Sequence, residues 1–183
     1  MSLGADAGVD PKAHLRALAH PIRLRILSLL TGAELTAAEI ARELDLNHAN
    51  ASYHLRQLHA TGLIEVAGQE RIHGGVAKRY RYVIEDALKR PDKLPEEDDP
   101  DGRRLFHEAM VTELNRRWAM LRRSLSNHFT DAELWVDPEA WQAISQKISA
   151  VSDELHLAAK PPRTKKTIRV SATIALFEME PGK

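Results

Sequence analysis

Residues 47–60, NHANASYHLRQLHA, gather Asn, His, Ser, Tyr, Arg and Gln into a short stretch that can be read as one helix. An α-helix turns about 100° per residue. Placing Ala51, Leu55 and Leu58 inward therefore directs Ala49, Ser52, Tyr53, Arg56, Gln57 and Ala60 outward, with His48, Asn50 and His54 on the flanks. Small residues permit close approach to a groove. Ser, Tyr, Gln and Asn supply hydrogen bonds, and Arg56 can read guanine bidentately or hold a phosphate. The same pattern also describes a solvated amphipathic helix.

A second cluster follows. Residues 48–81 hold Arg56, Arg71, Lys78, Arg79 and Arg81 against Glu65 and Glu70, a local excess of +3. His48, His54, His59 and His73 add charge at lower pH. A basic loop with adjacent glycines, Gly74-Gly75, can lie along a phosphate backbone. An ordinary charged hairpin has the same composition.

The elements that must position these groups are legible around them. Leu15, Leu18, Ile22, Ile26, Leu29 and Leu30 recur at helical spacing, and Pro21 divides them into two short helices. Gly32 supplies a stop. Thr36-Ala37-Ala38-Glu39 is a capping box at the mouth of a helix whose buried stripe is Ile40, Ala41 and Leu44. Asp45-Leu46-Asn47 is a turn, and Asn47 caps the next helix, which Gly62 ends. Leu63–Ala67 reads as a strand, 68–77 as a loop and Lys78–Ile84 as a returning strand. Helix, short turn, helix and hairpin in this order make a helix-turn-helix with a wing.

The chain has 183 residues, 26 Lys+Arg and 26 Asp+Glu, a formal net charge of zero and no cysteine. Its mean hydropathy is −0.38. These are values of a soluble globular protein. The absence of cysteine excludes disulfides, a cysteine nucleophile and thiolate metal sites. No apolar run approaches the roughly 18 residues of a membrane span, and MSLGADAGVD has neither the basic nor the apolar region of a secretory signal. A cytoplasmic protein with no membrane association is expected. No Gly-rich phosphate loop, GxSxG or HExxH is present, so an enzyme is not expected.

LRALAHPIRLRILSLL, LTAAEIARELDLNHANASYHLRQLHATGLIE and RIHGGVAKRYRYV together resemble the ArsR-type winged-helix family of bacterial transcription regulators, over about Leu15–Val83. The resemblance implies a homodimer on double-stranded DNA at an inverted-repeat operator, usually as a repressor. It makes Asn47–His59 the recognition helix and puts Arg71, His73, Lys78 and Arg79 in the wing. The candidate DNA-binding residues are Thr36, Asn47, His48, Asn50, Ser52, Tyr53, His54, Arg56, Gln57, Arg71, His73, Lys78 and Arg79. His54 stands where the family commonly has histidine, and packing or a phosphate contact suits it better than base reading. Metal-sensing relatives carry a cysteine pair where this chain has Thr36 and Ala38. His107 and His128 are too far apart to chelate one ion from one helix. The resemblance is therefore to the non-metal-sensing branch, with no metal or cofactor.

Residues 91–102, PDKLPEEDDPDG, read as an acidic, Pro-rich linker between a 12–90 winged-helix domain and a 103–183 extension; 1–11 read as a disordered tail. In the extension, Phe106, Met110, Leu114, Trp118, Leu121, Leu125 and Phe129 predict a helix over 103–129, roughly 40 Å long. It could cover the winged-helix core, but its length and near-heptad stripe favour pairing with its copy, through Phe106, Met110, Leu114, Trp118, Leu121 and Leu125. Such a dimer places two recognition helices about 34 Å apart. Glu133–Val136, a helix from Pro138 and the alternating Thr167–Met179 predict a small β-α-β unit, either scaffold or pocket for a small-molecule effector of unknown class. Trp118, Trp135 and Trp141 either line that pocket or are core. The expected fold class is α+β, mainly α. A winged helix that binds protein partners without reading DNA is the competing function.

Overall fold

The computed structural model describes residues 11–72, 75–83, 99–124 and 127–180. Six helices and one small sheet are present among them: α1 (Pro11–Leu18), α2 (Pro21–Leu30), β1 (Leu35–Thr36), α3 (Ala37–Leu44), α4 (His48–Ala60), β2 (Ile64–Ile72), β3 (Gly75–Tyr82), α5 (Pro100–Trp118) and α6 (Pro138–Leu157).

The division at Pro21 has a local cause. Pro21 occupies the first turn of α2, where its missing N–H costs nothing, and the His20 Nδ1 caps the helix by accepting from the Ile22 N–H at 3.1 Å. The turn between α3 and α4 is closed by Asp45 in the left-handed region (φ 55°). Asn47 then caps α4, its Oδ1 accepting from the Asn50 N–H at 2.8 Å.

The core lies where α2, α3 and α4 meet the start of β2. Ile26, Leu30, Ile40, Leu55, Leu58 and Ile64 are its fully buried large side chains. The predicted inward stripes of α3 and α4 are the ones buried. The sheet has the order β1-β3-β2 and is antiparallel throughout. The hairpin is longer than its sequence suggests. Gln69, Glu70 and Arg71 extend β2 through the predicted loop and pair with Lys78, Ala77 and Val76. A two-sided exposed ribbon needs only its backbone ladder, so no apolar alternation marks it. Between Val66 and Gly68 the register shifts by a bulge, which bends and twists the hairpin.

Of the linker 91–102, residues 91–98 lie outside the described residues, as do residues 1–10 of the tail. Its last residues belong to α5, which packs on α1 and α2. Asp99 caps α5 through the Gly102 N–H (Oδ1, 3.0 Å) and ties α1 through the Arg16 Nε (Oδ2, 3.1 Å). The Gly102 hydrogen bond outweighs desolvation and, with Arg16, holds the Asp99 carboxyl below the usual range.

Two features of the extension differ from expectation. The long helix ends at Trp118, so Leu121 follows it and Leu125 lies outside the described residues. No glycine or proline stops it there. Beyond Glu113 no described residue is buried, and a helix without packing loses most of its support. The centre of the β-α-β unit is present as α6, but neither flanking segment forms a strand. Alternation alone makes no strand without a neighbouring backbone to pair with.

Gly102 is buried at the α1–α5 junction, where a Cβ would lie 2.5 Å from the Asp99 Oδ2. Gly102→Ala is expected to displace this cap and lower the thermal midpoint, read by circular dichroism. An unchanged midpoint would show that Asp99 can move aside without cost.

Candidate nucleic-acid interface

The outward face of α4 is set by what its inward face buries. Ala51, Leu55 and Leu58 are essentially inaccessible. Asn47, His48, Tyr53, Arg56 and Gln57 consequently stand exposed, with Asn50 and Ser52 half-buried. No described carboxylate pairs with Arg56, so its guanidinium keeps its donors for a ligand.

His54 belongs inside. It is 3% exposed, and its ring lies 4.6 Å from that of His20 and edge-on to Tyr53. A wheel centred on Ala51, Leu55 and Leu58 places position 54 on the flank; the neighbouring α2 covers that flank and removes His54 from any groove. Burial first, then the His20 ring and the Arg23 charge, push the His54 pKa down to about 4. Burial and Arg23 lower His20 as well. Arg23 itself is spent on carbonyls of α1, donating to Ala17 and Arg16. His54 Nδ1 is buried without a hydrogen-bond partner.

Thr36 is also internal. Its backbone N–H donates to the Glu39 Oε2 at 2.7 Å, and its hydroxyl accepts from the Glu39 N–H at 3.3 Å. At 6% exposure it offers little surface to a groove. Burial raises the Glu39 carboxyl, but the Thr36 hydrogen bonds, with Arg79 and Arg42, outweigh it and leave it below the usual range.

In the wing, Arg71 and Lys78 are exposed, while His73 lies outside the described residues. Arg79, a candidate DNA contact, is half-buried and braces the hairpin. Its guanidinium donates to the Glu70 Oε2 at 2.8 Å and the Glu34 carbonyl at 2.5 Å, and stands 3.5 Å from the Glu39 Oε2. The charge count assigned it no partner because Glu34 and Glu39 lie far away in sequence; β1–β3 pairing, with Thr36 opposite Arg79, brings them together. Arg81 is similarly held by Glu65 across the hairpin. Among the described residues of α4 and the hairpin, Arg56, Arg71 and Lys78 have no carboxylate partner. His20, the partner that removes His54 from the surface, carries no such signal in sequence.

On α5, Phe106 and Met110 are half-buried, while Leu114 and Trp118 are exposed. Leu121, after the helix, is exposed too. The three tryptophans do not share a pocket. Trp141 lines an open cleft of about 460 Å³ with Pro138, Gln142, Ser145, Gln146 and Glu178. The Trp118 and Phe129 rings lie 5.1 Å apart and tilted, and Trp135 is 91% exposed. Among the described residues no three His, Asp or Glu are grouped to hold a metal ion, and no helix is long and apolar enough to cross a membrane.

The histidine pair makes stability pH-dependent. An unfolded histidine titrates near 6.5, whereas folded His54 titrates at about 4. As the pH falls through this window the unfolded chain takes up the proton first, so stability falls from about pH 6.5 towards 4. His54→Leu is expected to flatten that part of a plot of thermal midpoint against pH. An unchanged slope would place the dependence on other groups.

Residues 18–67 match the family described as helix-turn-helix domain. A solved structure, that of a possible transcriptional regulatory protein (fragment 1–100) from Mycobacterium bovis, is 30% identical to this chain, covers 58% of it and 95% of its own length, and has a TM-score of 0.35. No curated protein matches the chain. The match runs from the end of α1 into β2, and with the β1-β3-β2 sheet behind it, this part of the chain is a winged helix-turn-helix domain.

Proposed function

We propose that the protein is a sequence-specific DNA-binding transcriptional regulator, acting as a dimeric repressor at an inverted-repeat operator. The observation that carries this reading is the exposed face of α4. Ser52, Tyr53, Arg56 and Gln57 lie on it, outside a helix-turn-helix core, with the unpaired wing cations Arg71 and Lys78 on the following hairpin. In such domains the second helix enters the major groove and flanking cations hold phosphates. The roles divide accordingly. Arg56 and Gln57 read bases, Asn47 and His48 lie at the helix N-terminus near the backbone, and Arg71 and Lys78 grip phosphates.

Dimerisation is supported by what the single chain leaves uncovered. Leu114 and Trp118 are exposed at the end of α5, and among the described residues from Trp118 to Met179 seventeen large apolar side chains stand exposed. A soluble chain rarely leaves so much apolar surface without a partner. In this reading α5 pairs with its copy and spaces the two recognition helices.

Purified protein should bind its own upstream DNA more tightly than random duplex, with a steep salt dependence. Arg56→Ala should cost about 1–3 kcal/mol on the operator and relax specificity, whereas Lys78→Ala should weaken both duplexes alike and reduce the salt slope by about 1. Absence of binding to either duplex at low salt would leave the winged helix as a protein-interaction module. Trp118→Ala and Leu121→Arg should shift the protein towards monomer in light scattering and weaken operator binding with it. A variant that stays dimeric would overturn pairing through this helix.

A further inference from the structure

We propose that residues 160–169 form a second phosphate-binding element, which grips the backbone of the same DNA duplex from beside α3; this rests on the DNA-binding reading above. Between Leu157 and Glu178 the chain has no acid and five cations: Lys160, Arg163, Lys165, Lys166 and Arg169. All are exposed. In a chain of zero formal net charge, this is a concentrated positive field. Like charges held this close repel one another until a polyanion neutralises them.

The segment is seated on the helix-turn-helix unit at two points. Its backbone passes so close to Gly32 that a Cβ there would lie 2.8 Å from the Lys160 carbonyl oxygen. Three residues on, the Arg163 Nη1 meets the Glu43 Oε1 at 3.1 Å, on the C-terminal half of α3. The chain then turns twice. The Thr164 N–H bonds to the Pro161 carbonyl and the Thr167 N–H to the Thr164 carbonyl, with Arg163 and Lys166 both in the left-handed region (φ 65° and 62°). Non-glycine residues hold that conformation only where their surroundings impose it.

These contacts divide the cations by role. Arg163 is the anchor, its charge met by Glu43. No described carboxylate pairs with Lys160, Lys165, Lys166 or Arg169. In a helix-turn-helix complex the first helix of the motif, here α3, crosses the DNA backbone while the second enters the groove. Eight residues of helix span only about 12 Å, so a loop docked on Glu43 lies within about one helix length of the N-terminus of α3. The ligand chemistry is the phosphodiester backbone, without base preference, because lysines act there as point charges.

The test uses the full chain, titrated with its own upstream duplex and with random duplex across a salt series. The variant is Lys160→Ala/Lys165→Ala/Lys166→Ala, which keeps the Arg163 anchor. At about 0.9 per phosphate contact, the slope of log K against log salt should become shallower by about 2–3. Both duplexes should weaken by the same factor, leaving their affinity ratio unchanged. Gly32→Ala, which keeps every charge but displaces Lys160, should shallow the slope in the same direction at an unchanged oligomeric state. If Lys78→Ala reduces the slope while the triple variant retains that of the wild type, the domain binds DNA without this loop and the inference fails alone. If the wild type binds neither duplex, both readings fall.

Discussion

The position of the wing relative to α4 rests on one knot of interactions around Thr36. The residue ends a two-residue strand, caps α3 and faces Arg79 across the sheet. A strand that short holds little on its own. Glu39 closes the capping box onto Thr36 and stands against Arg79, which also reaches Glu34 and Glu70. One guanidinium thereby joins the loop before α3, the first helix of the motif and both strands of the hairpin. Any shift of the hairpin must break several charge-assisted contacts together, which are stronger than neutral ones. The exposed cations of the wing are thus presented from a frame tied to α3 and, through the short turn, to α4.

The inner side of α4 is held by different means. Ala51, Leu55 and Leu58 fill the core, and His54 lies against His20, the residue that caps α2. Both imidazoles are held below their ordinary range by burial and by the Arg23 charge, so the contact is between neutral rings. Polar burial of this kind stabilises less than an apolar contact would, and an unpartnered Nδ1 adds a cost.

The second half of the chain obeys a different constraint. The α1–α5 junction is packed and capped through Asp99 and Gly102, and burial stops at Glu113, whose carboxylate is taken by Arg116. Beyond it, apolar side chains stand outward, and the contacts back to the domain from residues 160 and 163 are backbone or polar: Lys160 at Gly32 and Arg163 to Glu43.

Local signals alone specified most of the winged helix. Pro21, the Thr36–Glu39 box, Asn47 and the stripes of α3 and α4 act over three or four residues, within the range where a sequence dictates its own backbone. The same arithmetic identified the exposed face of α4 with Tyr53, Arg56 and Gln57. Long-range packing decided the rest. It buried His54 under α2, brought Arg79 to Glu34, Glu39 and Glu70, and brought the 160–169 loop to α3. It also ended the long helix at Trp118 and left the alternating segments near 133–136 and 167–179 without strands to pair with. A sequence determines which faces are apolar and where helices start; which charges meet, and which strands find a neighbour, depends on residues distant in the chain being brought together.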